Sequence, residues 1–130
     1  MRISFFVSDL HGRIDRYDKL IDAILINQPE AVFLGGDLLP SGKSIPNKGR
    51  QISDFFYDYL IPELHDLKIL LGDSFPNIFL ILGNDDGRVN EVKVIEGEGA
   101  RLWHYIHNKK VEYKGFNIFG YAYVPPTPFL

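Results

Sequence analysis

Three short apolar runs, Ile3–Val7, Ala31–Leu34 and Ile78–Leu82, constrain this chain more than any other feature. Each stops abruptly at small residues followed by a polar side chain. The first gives way to Ser8-Asp9-Leu10-His11-Gly12, the second to Gly35-Gly36-Asp37, and the third to Gly83-Asn84-Asp85-Asp86-Gly87. Runs of this length read as buried strands. Between the first two, Ile14, Tyr17, Ile21, Ile24 and Leu25 recur at helical spacing, so an amphipathic helix is expected from Ile14 to Gln28, closed by Pro29. Strand, helix, strand with short joints implies a right-handed βαβ unit and parallel pairing. In such a sheet the three polar stops lie at one edge, where open α/β folds bind their ligands.

The rest of the chain is less sharply patterned. Residues 40–50 are rich in Pro, Ser, Gly, Lys and Asn and read as a surface loop. Its cations Lys43, Lys48 and Arg50 suit either a solvated loop or a lid near an anionic substrate. Ile52, Phe55, Phe56, Tyr59, Leu60, Leu64, Leu67 and Leu71 form a second helical pattern. Pro62 within it predicts a kink or two consecutive helices. His65 reads as exposed, and the aromatics as core. A short helix is expected over Arg88–Glu96, closed by Gly97 and Gly99, and an edge strand within Arg101–Ile106. Lys114-Gly115 between two apolar stretches predicts a β-hairpin. The run Val124-Pro-Pro-Thr-Pro-Phe-Leu130 reads as cut, so residues 1–130 are expected to be the N-terminal portion of one larger domain.

Composition narrows the function classes. With 130 residues there is one domain, able to bury about two-thirds of its unfolded surface. A net charge of −3 disfavours nucleic-acid binding by counterion release. No cysteine is present, which excludes disulfides, thiolate metal sites and cysteine nucleophiles and fits a reducing, cytoplasmic location. No stretch has the length expected of a membrane span or a signal-peptide core.

If the strand ends converge, Asp9, His11, Asp37 and Asn84 supply two carboxylates, an imidazole and an amide oxygen. That mixed oxygen and nitrogen set suits Mn²⁺, Fe, Zn²⁺ or Mg²⁺. Each motif alone is a common turn; their occurrence in order, each at a strand end, carries the argument. A receiver-like signalling domain is disfavoured because His11 has no role there.

Asp9-Leu-His11, Gly36-Asp37 and Gly83-Asn84, with an acidic residue at position 86, resemble the motifs of the calcineurin-like metallophosphoesterases. The resemblance implies a four-layer α/β/β/α sandwich, here present in part. It implies hydrolysis of a phosphomonoester or phosphodiester through a hydroxide activated by two divalent metals, Mn²⁺ foremost. It assigns Asp9 and His11 to the first metal, Asp37 as a bridge and Asn84 to the second; Asn84 and Arg88 are the candidates for substrate contact. Two departures stand out. Asp85 occupies the position of a family histidine that serves the leaving group, and an ionised carboxylate there would repel phosphate. The later histidine motifs have no counterpart, and His104 and His107 lack the flanking glycine of that pattern. The alternative is a non-catalytic interaction scaffold on the same fold, like the retromer subunit that resembles these enzymes. Substrate and oligomeric state stay open, although the exposed aromatics near the end of the chain would allow self-association.

Overall fold

The structure is a computed structural model and describes residues 3–36, 38–40, 54–82, 90–107 and 109–120. Four strands form a parallel sheet in the order β1-β2-β3-β4: β1 (Ser4–Val7), β2 (Ala31–Leu34), β3 (Asn77–Leu80) and β4 (His104–Tyr105). A separate antiparallel hairpin follows, β5 (Lys110–Tyr113) and β6 (Phe116–Phe119). Its turn residues Lys114 and Gly115 both have positive φ, 49° and 83°, the geometry that matches the strands' right-handed twist.

The expected first helix is α1 (Ile14–Asn27), which turns its buried Ile14, Tyr17 and Ile24 to the sheet. Burial of each such side chain stabilises the fold by about 1.5–3 kcal/mol. Gln28 then adopts a left-handed φ of 46° and ends the helix one residue earlier than Pro29 alone required. The second helical pattern divides at Pro62. A π-helical turn over Phe56–Leu60 runs directly into α2 (Ile61–Leu71), with Pro62 in its first turn, where a missing N–H does least harm. His65 is exposed, as read from the sequence. The third helix is α3 (Glu91–Gly99); the expected start at Arg88 lies outside the described residues, and the helix runs through Gly97, on which Trp103 packs.

The sheet has two unlike faces. Val32, Leu34, Ile78, Leu80 and Tyr105 join residues of α1, α2, α3 and the π-helical turn in the main core. Ala31, Phe79 and Ile106 form a smaller core with Phe33, Val111, Tyr113 and Ile118, so the hairpin covers the opposite face. Helices on one side and β-structure on the other give the expected mixed α/β arrangement.

One expectation needs correction. The Ile3–Val7 run read as a buried strand, but among the described residues β1 lies at the edge of the sheet and its side chains alternate between exposed and half-buried. Phe6 is 78% exposed and stacks on Phe33 at 4.7 Å. The hairpin sits over Phe33 and Phe79 and does not shield Phe6 among the described residues, which is why an apolar run need not mean two covered faces.

Candidate metal centre

The strand register brings the carboxyl ends together: Val7 pairs with Leu34, and Leu34 with Leu80. Beyond Val7 the chain turns sharply. Asp9, His11 and Gly12 all have left-handed φ, 59°, 50° and 66°. Glycine adopts this region freely, whereas a side-chain-bearing residue does so at a cost of roughly 1–2 kcal/mol. Asp9 and His11 are held there, and the turn brings His11 Nε2 to 3.7 Å from Asp9 Oδ1. His11 is half-buried, with 33% of its side chain exposed, and Asp9 is 63% exposed. Ser8 Oγ donates to Asp9 Oδ2 at 2.9 Å and orients the carboxylate.

Backbone bonds tie this turn to the exit of β2. Gly35 N donates to Val7 O at 2.8 Å, Asp9 N to Gly36 O at 3.2 Å, and Gly12 N to Leu38 O at 2.9 Å. The buried Tyr17 hydroxyl also donates to Leu38 O, at 2.7 Å. The residues on both sides of position 37 are therefore bonded to the segment that carries Asp9 and His11. Ile81 N donates to Leu34 O at 3.2 Å and extends the same edge to the exit of β3.

Gly12 closes the turn against Pro40. A Cβ at Gly12 would overlap the proline ring, and its φ of 66° already disfavours an L side chain. Gly12→Ala is expected to destabilise the protein by about 1–3 kcal/mol, through overpacking and backbone strain together. Chemical denaturation would measure it; an unchanged midpoint would show that the turn relaxes without loss.

The sequence-predicted residues Asp9 and His11 are thus brought together. Asp37, Asn84, Asp85, Asp86 and Arg88, and the cations Lys43, Lys48 and Arg50, lie outside the described residues. Among the described residues no group of three or more His, Asp or Glu side chains gathers closely enough to hold a metal. His104 lies on β4, at the opposite edge of the sheet from β1, and stacks on Phe79 at 5.0 Å. His107 bridges to Gly120 and stacks on Tyr105 at 5.9 Å.

Sequence reasoning missed two residues at this edge. Arg16 reaches back from α1, and its Nη1 donates to Asp9 O at 2.8 Å, so a guanidinium lies beside the candidate site. Tyr17 read as a core aromatic, but its hydroxyl organises the exit of β2. The signal for Arg16 was its place in the first turn of a helix that starts just after His11.

The family pattern of the calcineurin-like phosphoesterases matches residues 4–127. No curated protein sequence matches the chain. A crystal structure resembles it with a TM-score of 0.55 at 17% identity, over 91% of this chain and 51% of that one. The chain thus spans about half the length of that solved structure, and at this identity the likeness shows the fold alone. No helix among the described residues is long and apolar enough to cross a membrane.

Proposed function

The chain belongs to the calcineurin-like phosphoesterase family, whose members generally hydrolyse phosphoesters with divalent metals, and from this membership we propose that it forms part of a dinuclear metal centre for phosphoester hydrolysis. The observation that carries the reading is the Asp9–His11 pair, 3.7 Å apart on a left-handed turn at the sheet's carboxyl edge. A carboxylate and an imidazole, both partly open to solvent, fit the donor preferences of Mn²⁺, Fe and Zn²⁺, with Mn²⁺ or Mg²⁺ favoured as carboxylates accumulate. In this reading Asp9 and His11 would hold the first ion, Asp37 would serve both and Asn84 would hold the second.

When bound, two such ions supply a nucleophile at neutral pH and offset charge on the phosphate oxygens. The chain's own residues do the rest. Ser8 fixes the Asp9 carboxylate, the bonds to Gly36 and Leu38 keep the exits of β1 and β2 in register, and Arg16 adds positive charge at the edge that receives an anion. Asn84 and Arg88 would contact the phosphate. Asp85 replaces a histidine that would aid the leaving group, so diesters or activated esters, whose leaving groups need less protonation, are the favoured substrates. The absence of cysteine supports a cytoplasmic setting.

Hydrolysis of bis(p-nitrophenyl) phosphate tests the reading. Activity should require added Mn²⁺ and disappear with a chelator. Activity that survives complete metal removal would sink it.

A further inference from the structure

A cleft of about 410 Å³ opens at the amino ends of β3 and β4, between the end of α2 and the turn that follows α3. The strands are parallel, so it lies at the opposite end of the sheet from Asp9 and His11. Its volume is that of a small-molecule site. Ile78, Leu102 and Trp103, all buried, and the half-buried Phe75 give it an apolar lining. Three charged side chains, Lys68, Glu98 and Arg101, line it as well. His104 and Asn77 border it, but their side chains are engaged elsewhere: the imidazole stacks on Phe79, and the amide donates to the Tyr113 hydroxyl at 3.5 Å.

The end of α3 sets where Arg101 stands. Arg101 N donates to Glu98 O at 2.9 Å, and Leu102 N donates to Gly97 O at 3.1 Å. This paired cap needs one left-handed residue, for which glycine is the usual choice. Arg101 fills the place with a φ of 61° and carries a steric penalty that glycine would avoid. A cation near a helix C-terminus offsets part of that penalty. Lys68 already serves this end, however: its Nζ donates to Arg101 O at 3.0 Å and lies 5.9 Å from the centroid of the Phe75 ring. Glu98 is held too, its Oε2 accepting from Tyr105 N at 2.8 Å. Among the described residues the Arg101 guanidinium makes no hydrogen bond or ion pair. Of the three N–H groups on Lys68, one is used by Arg101 O.

We propose that this cleft binds a small apolar monocarboxylate, with its carboxylate between Lys68 and Arg101 and its body against Phe75 and Leu102. A guanidinium presents two parallel N–H groups that match a carboxylate, and an ammonium adds a third donor. Charge selects among anions. Lys68 and Arg101 bring two positive charges and Glu98 one negative, so the cleft carries one net positive charge. A carboxylate balances it, whereas a phosphate dianion would set its second charge against Glu98. The apolar lining favours a hydrocarbon body over a bare inorganic anion. The assignment is independent of the metal reading, because none of these residues lies at the carboxyl edge.

Trp103 is the single tryptophan of the chain and lines the cleft, so its fluorescence reports occupancy. Titration of the metal-free protein with benzoate, benzamide and phenyl phosphate above neutral pH tests the proposal. Benzoate should give a saturable change, with the neutral amide and the dianion each at least about tenfold weaker. Arg101→Gly should weaken benzoate about ten- to a hundredfold, the loss of a charge-assisted hydrogen bond, and Lys68→Met should do the same. Arg101→Gly removes the left-handed penalty together with the guanidinium, so it should unfold at a midpoint no lower than the wild type. Arg101→Lys keeps the charge without the fork and should bind between the two, which preserves the test if the glycine variant folds poorly. Benzoate without a saturable effect, benzamide or phenyl phosphate binding as tightly as benzoate, or wild-type affinity in the Arg101 and Lys68 variants would overturn the proposal.

Discussion

His11→Ala is expected to lower phosphodiester hydrolysis by roughly a hundred- to a thousandfold, the loss typical of removing one group that stabilises a transition state. The fold should survive, because the imidazole contributes little to the core. Leu10 and Gly12 on either side are buried, and the Gly12 N to Leu38 O bond does not involve the side chain. His11→Gly sharpens the test. The residue has a φ of 50°, where alanine keeps the left-handed penalty and glycine does not. The glycine variant should be about 1 kcal/mol more stable than the alanine variant, less what glycine gains in the unfolded chain. Both should be equally inactive. Thermal unfolding and initial rates measure the two effects separately. An active His11→Gly protein would remove His11 from the mechanism, and an alanine variant as stable as the glycine one would remove the strain argument.

Trp103→Ala should have the largest effect on stability, about 3–5 kcal/mol for an aromatic removed from a core. Trp103 is 2% exposed, and its Nε1 donates to Val94 O at 2.8 Å. The indole lies directly on Gly97, where a Cβ would overlap the ring. Gly97→Ala sets two effects against each other. Helix propensity favours alanine by about 1 kcal/mol, while overpacking against a fixed indole costs about 1–3 kcal/mol. The net expectation is destabilisation. In a Trp103→Ala background the collision is gone, so Gly97→Ala should become neutral or stabilising. A double-mutant cycle from urea titrations gives the coupling directly; additive effects would contradict the packing account.

The two outcomes bear on how much the residues disclosed before the fold was known. The β1–α1–β2 unit was legible because its apolar residues repeat at clear periods and its joints are too short for anything but a crossover. The Lys114-Gly115 hairpin was legible because two-residue turns select positive φ, and a glycine in the turn signals it. The polar edge was legible as well, since Asp9 and His11 interrupt an apolar run where no core residue would.

Other features depend on tertiary contacts that no local pattern carries. Gly97 resembles a helix stop, yet α3 passes through it because Trp103, six residues on, takes the space of a side chain. Phe6 alternates like any strand residue, and only the sheet order reveals that β1 lies at an edge among the described strands. The Asp54–Lys93 pair joins residues 39 apart, which sequence spacing cannot anticipate. Arg16 was readable as a first-turn residue of α1, but its reach back to Asp9 O depends on the left-handed turn between them.

On the proposed reading, Asp9 and His11 belong to a two-ion centre to which Asp37 and Asn84 also contribute. Elemental analysis after Mn²⁺ loading and desalting tests it most directly. The account predicts two equivalents of Mn²⁺ in the wild type and at most one in His11→Ala, with both proteins folded. A folded wild-type protein that retains no Mn²⁺, Fe, Zn²⁺ or Mg²⁺, or a His11→Ala protein that retains two ions, would contradict it.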